Sequence, residues 1–164
     1  MVDYGKLIEE ESARKDSAIT TAETQWKREI ELLAFFRDVE IELGREMVKA
    51  NQELRKRAAP TISGPFRPVK EEERIELAFG TRRPCCQLVL QGAAGHSQVA
   101  RIQVELFDDL GNELGRTEYF VDGGLPAVKA FRFLVEGFPD RGAEVSSTEI
   151  AQEIIAGILR GRFA

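Results

Sequence analysis

Two adjacent thiols, Cys85 and Cys86, a single histidine, His96, and several clusters of carboxylates are the residues of this chain whose chemistry needs deciding first. A thiolate beside a histidine base would be a nucleophile, and a vicinal thiol pair would be a redox switch or a soft-metal site. Neighbours on a strand point to opposite faces, so a disulfide between Cys85 and Cys86 would need a strained turn; the other reading is reduced thiols in or beside a core. Taking residues 85–91 and 98–104 as a hairpin puts His96 at the tip of the loop QGAAGHSQ and Cys86 near Ile102. The separation is then roughly 20 Å at about 3.3 Å per residue, too far for a cysteine–histidine dyad.

The remaining motifs point to turns and solvated faces. Gly92 and Gly95 lack the lysine of a phosphate-binding loop. Glu9–Glu11 and Glu71–Glu73 are charge runs without apolar surroundings. Asp108, Asp109, Asn112 and Glu113 carry the oxygens of a calcium loop but not its spacing, and turn formation accounts for them. No catalytic residue, cofactor or metal is expected.

The elements that would position any site begin with a long helix. From Ile19 the apolar residues Ile19, Ala22, Trp26, Ile30, Leu33, Phe36, Val39, Leu43, Met47, Ala50 and Leu54 recur every three or four positions, which is the seam of a packed helix. Asp16 or Ser17 would cap its start, and Pro60 marks its stop after Arg55, Lys56 and Arg57. Roughly 40 residues make a helix of about 60 Å, longer than a small domain can cover. Trp26, Ile30, Leu33, Phe36, Val39, Leu43, Met47 and Leu54 are therefore expected to meet a second copy of the chain or a partner helix. Leu32, Phe35 and Ile41 widen the face towards a bundle or docking onto a domain.

Residues 59–70, with three prolines and a glycine, read as an extended linker between a helical segment, 1–58, and a β domain, 71–146. In the β domain Ile75, Leu77 and Phe79 alternate with polar or small residues, then Pro84 introduces CCQLVLQG. The stretch RIQVELFDDLGNELGRTEYFVD predicts an antiparallel pair closed by a four-residue loop, Asp109–Asn112. Its register sets Ile102 against Tyr119, Val104 against Thr117 and Ala100 against Val121, with Glu105 opposite Arg116 on the other face. GGLPAVKAFRFLVEGFP reads as a strand with Phe131, Phe133 and Val135 on one face, with a helix as the alternative. Residues 147–164 form a C-terminal helix begun by Ser147 or Thr148, with Ile150, Ile154, Ile155, Ile158 and Leu159 as its stripe.

The order Val104-Glu105-Leu106-Phe107-Asp108, Gly111-Asn112, Gly124 to Pro126 and Phe131-Arg132-Phe133 resembles the bacterial immunoglobulin-like domains named for an F-x-L-Y-D strand motif. That resemblance spans residues of about 75–146, with Val104 and Phe107 departing from the motif's Phe and Tyr. It implies a small antiparallel β-sandwich acting as a binding or spacer module. The fold class expected is thus α+β: a long amphipathic helix, an immunoglobulin-like sandwich and a C-terminal helix.

Acidic residues outnumber basic ones in residues 1–60 and again in 61–164, for a net charge of −5, so no nucleic-acid partner is expected. No apolar run is long enough to span a membrane and no secretory leader is visible, which sets a cytoplasmic location as the expectation. The function expected is a non-enzymatic interaction or scaffold protein that self-associates or docks through its N-terminal helix. A cysteine-based redox or metal sensor is the alternative, and an enzyme of unrecognised type stands third. If helix and β domain are separate modules, residues 59–164 should fold alone.

Overall fold

A computed structural model describes residues 2–68, 73–80, 84–92, 99–123, 128–132 and 144–163. The protein is α+β: a long N-terminal helix, a curled antiparallel seven-stranded sheet and a C-terminal helix. His96, the Gly124–Pro126 turn, Phe133 and Val135 lie outside the described residues.

Helix α1 covers Tyr4–Lys56, 53 residues, and starts a dozen residues before the expected Asp16 or Ser17 cap. The N-cap is Asp3, whose Oδ1 accepts the Lys6 backbone N–H at 3.2 Å. SARKDS, polar but for Ala13, does not end the helix, because none of its residues is a glycine or proline. At 1.5 Å per residue α1 is about 80 Å long. The last turn closes with the Arg57 N–H on the Leu54 carbonyl at 3.1 Å, and Pro60 follows.

The strands are β1 (Ile62–Phe66), β2 (Arg74–Phe79), β3 (Pro84–Gln91), β4 (Val99–Phe107), β5 (Glu113–Asp122), β6 (Lys129–Phe131) and β7 (Glu144–Val145). Each pairs antiparallel with the next, so the described strands form one meander in a single sheet. Strand β1 falls inside the stretch read as a linker: Ile62 pairs with Phe79 of β2 and is buried. Proline-rich sequence favours extended backbone, and extended backbone next to an open strand edge becomes a strand.

In β4–β5 the register is the expected one, with Ile102 on Tyr119, Val104 on Thr117, Ala100 on Val121 and Glu105 on Arg116. The register shifts only at the turn, where Phe107 rather than Asp108 faces Glu113. There the Asp108 N–H donates to the Asn112 carbonyl at 2.9 Å, and Gly111 adopts φ +84°. Asp108 Oδ1 accepts the Asn112 and Leu110 N–H groups at 2.8 and 2.9 Å, which holds its carboxyl below the usual range, the Asn112 bond contributing most. In β3–β4 Cys86 faces Leu106, not Ile102, and it is Leu90 that faces Ile102; β4 begins at Val99, one residue later than the hairpin reading assumed. The expected strand around residue 131 is present as β6, but it buries Ala130 and leaves Phe131 half-buried, the opposite face to the one read from the sequence. A strand of three residues has no alternation long enough to declare its own face.

One face of the sheet carries Ile75, Leu77, Leu88, Val104, Ile102 and Val121, all fully buried. What covers this face is helical. Leu32, Phe36, Val39 and Leu43 of α1 and Ile150, Ala151, Ile154 and Ile155 of helix α2 (Ser147–Arg160) join the same core. Helix α2 is capped by Ser146, one residue before the expected start, in a capping box with Glu149. It lies chiefly against α1 and touches β4.

Asn51, on the core side of α1, ties the helix to the first strand. Its side-chain amide donates to the Ile62 carbonyl and its Oδ1 accepts the Ile62 N–H, both at 2.8 Å. The asparagine thus pairs with β1 as a neighbouring strand would. Asn51→Ala should cost about 2–3 kcal/mol, because it removes two buried hydrogen bonds and leaves an N–H and a carbonyl unsatisfied. Urea unfolding checks this, and a loss below about 0.5 kcal/mol would show that water replaces the amide.

Candidate functional site

Three places carry the groups singled out in the sequence: the thiol pair on β3, a polar node between sheet and α2, and the free length of α1. On β3 the alternation sends Cys86 into the core, where it is fully buried, and Cys85 to the opposite face, half-buried. Burial pushes the Cys85 thiol up to about 11 and the Cys86 thiol higher still. The Cys85 Sγ donates to the Leu77 carbonyl at 3.5 Å. Both groups are therefore neutral thiols at physiological pH, poor as nucleophiles or metal ligands. Among the described residues no cluster of three or more His, Cys, Asp or Glu could hold a metal ion. Titration with a thiol reagent at neutral pH should modify Cys86 only after denaturation, whereas rapid native modification of both thiols would restore the sensor reading.

The polar node was not visible in the sequence. Tyr119 sits on the inner face of β5 and is nearly fully buried, and its hydroxyl donates to Glu153 Oε2 of α2 at 2.5 Å. Arg132, just after β6, pairs with Glu153 Oε1. Burial raises the Tyr119 hydroxyl far above its ordinary value, and the Glu153 bond adds to this; the same carboxylate raises Arg132. The node lines a cleft of about 200 Å³ shared with Thr117, Gly157, Arg160 and Phe163. Its one carboxylate is shared between a phenol and a guanidinium, so it is no free base, and the arrangement acts as a clamp joining α2 to two strands. Only the fold brings Tyr119, Arg132 and Glu153 together, and no spacing in the sequence announces it.

The third place is α1 itself, and here the expected interface divides. Phe36, Val39 and Leu43 are fully buried in the chain's own core, and Leu33, Met47 and Leu54 pack against it half-buried. Trp26 and Ile30 are 67% and 45% exposed, and Ile19 is exposed with them. The seam was read as one stripe, but a period near 3.5 drifts around a 3.6-residue helix. Ile19 and Trp26 consequently look in a different direction from Phe36, Val39 and Leu43, and within the seam Leu33 and the residues from Phe36 onward pack on the core.

The point where α1 meets the body is marked by Gly123, at the end of β5. A Cβ added there would lie 2.8 Å from Arg28 Cγ and 3.3 Å from the Leu32 side chain. From Arg28 onward α1 belongs to the core. Before it the helix projects as an arm, residues 4–27, on which Tyr4, Ile8, Ile19 and Trp26 are exposed. Tyr4 and Ile8 were missed because the expected helix began later. Ile8 stands eleven residues before Ile19, three full helical turns, and that spacing was the available signal.

No described helix is long and apolar enough to cross a membrane. No protein-family model, no curated protein and no solved structure matches this chain.

Proposed function

We propose that the protein is a non-enzymatic interaction or scaffold protein that self-associates through the projecting arm of α1 and displays the helix-backed sheet at the arm's end. The observation that carries this reading is the arm itself. A lone helix of some two dozen residues is marginal in water, since helices in proteins draw most of their stability from burying an apolar face. Here that face, with Tyr4, Ile8, Ile19 and Trp26, is left in solvent by the chain's own fold. A second copy of the arm supplies the missing cover over Tyr4, Ile8 and Ile19.

The binding or spacer role implied by the resemblance to F-x-L-Y-D domains agrees with this reading. Two free, unreactive thiols fit a reducing compartment, and a cytoplasmic location is part of the proposal. Sedimentation equilibrium of the full chain tests it. The expected result is a concentration-dependent dimer, converted to monomer by Ile19→Glu, which should keep the thermal transition of the wild-type monomer at low concentration. A wild-type monomer at every concentration, or a variant that stays dimeric, would overturn it.

A further inference from the structure

The arm's exposed seam has a definite composition. Tyr4, Ile8, Glu11, Lys15, Ile19, Ala22 and Trp26 follow at steps of four, three, four, four, three and four residues, so they lie on one side of α1. Two of the seven are charged, Glu11 and Lys15, one of each sign and one turn apart. Glu11 is half-exposed and pairs with Arg14 on its own helix at 2.9 Å; Lys15 is exposed.

If two arms paired parallel and in register, Glu11 would stack on Glu11 and Lys15 on Lys15 within an apolar seam. Turning one arm round removes both conflicts. With Ala13 at the two-fold centre, Glu11 of each chain faces Lys15 of the other, and Ile8 comes level with Ile19 to within one residue. The bulky Tyr4 then faces the small Ala22. All three matches come from one register.

Length gives an independent check. In this register each arm overlaps the other from Tyr4 to Ala22, about 28 Å at 1.5 Å per residue, and the partner's N-terminus reaches Gln25. That is just short of Arg28, where Gly123 brings the sheet against α1. The free arm is therefore long enough for the whole overlap and ends before the two bodies collide.

From this complementarity of charge, size and length, we infer that the partner of the arm is a second copy of this chain, bound antiparallel about Ala13, so that the two sheets lie at opposite ends of the pair. The inference rests on the self-association proposed above, and the test separates the two. A nitroxide at Lys27→Cys, in the full-length chain with Cys85→Ser, reports the distance between the two labels by pulsed dipolar spectroscopy. Antiparallel pairing predicts about 40 Å, from 28 residues of axial offset. Parallel pairing predicts less than about 20 Å, since the axes lie only about 8–10 Å apart.

A dimer with the longer distance supports the inference. One with the shorter distance overturns the antiparallel register while leaving self-association intact, and a monomer overturns both. Charge variants supply a second readout. Glu11→Lys should weaken the dimer about tenfold or more, because two attractive pairs become repulsive, and adding Lys15→Glu should restore it. Failure of the double variant to recover would remove the Glu11–Lys15 contact from the interface.

Discussion

Removing residues 1–58 should leave a fragment with no cooperative unfolding transition, aggregating or molten rather than a folded β monomer. The separate-module expectation points the other way, and the shared core is the reason for expecting the opposite result. Leu32, Phe36, Val39 and Leu43 are each fully buried against the sheet and α2. At about 1.5–3 kcal/mol for burying each such side chain, these four supply on the order of 6–12 kcal/mol, comparable with the whole stability of an ordinary domain. The deletion also removes Asn51, which pairs with Ile62 and holds β1 against the helix. A shorter deletion, of residues 1–24, stops before Arg28 and, among the described residues, takes no fully buried side chain with it. That chain should unfold cooperatively within about 0.5 kcal/mol of the full-length monomer and should no longer self-associate. Scanning calorimetry on both fragments checks the pair of outcomes. A sharp transition in residues 59–164 would mean that the sheet buries its own inner face without α1.

Phe36→Ala should destabilise the protein by about 3–5 kcal/mol, whereas Trp26→Ala should change the stability of the monomer by less than about 0.5 kcal/mol. The contrast is useful because both residues belong to one hydrophobic periodicity and the tryptophan is the larger. Phe36 is 0% exposed in a core closed by helix, sheet and α2, so truncation leaves a cavity that rigid neighbours cannot fill. Trp26 lies on the arm two residues before α1 reaches the body, and its ring loses only solvent contact. Measurement belongs at protein concentrations low enough for the monomer, since an arm contact would otherwise couple association to stability. A large loss for Trp26→Ala under those conditions would mean that the arm folds back onto the chain.

Much of the local structure was legible. The β4–β5 register followed from alternation, a charge pair and a turn, all within some twenty residues, and only the turn itself differs, by one residue of slip at Asp108. The stop of α1 before Pro60 followed in the same way, as did Ile150, Ile154 and Ile155 of the α2 stripe, whereas Leu159 of that stripe is exposed. The cap of α1 is Asp3 rather than Asp16 or Ser17, because residues able to cap continue a helix readily inside a run without glycine or proline. Strand β1 was missed because prolines signal extended backbone without saying whether a neighbouring edge is open to it.

By itself, the sequence determined which residues share a face over a few turns or one strand pair: the inner rows of β4 and β5 and the isoleucines of α2. Periodicity is a property of neighbouring residues, and it survives whatever the rest of the chain does. Only the tertiary structure decided what covers each face. It gave Phe36, Val39 and Leu43 to the chain's own core and left Ile8, Ile19 and Trp26 in solvent; it brought Tyr119, Arg132 and Glu153 into one clamp and put a helical layer over the sheet. The reason is physical: the hydrophobic effect requires an apolar face to be buried but is non-directional, so it names no partner, and the partner is chosen by contacts between residues far apart in the chain.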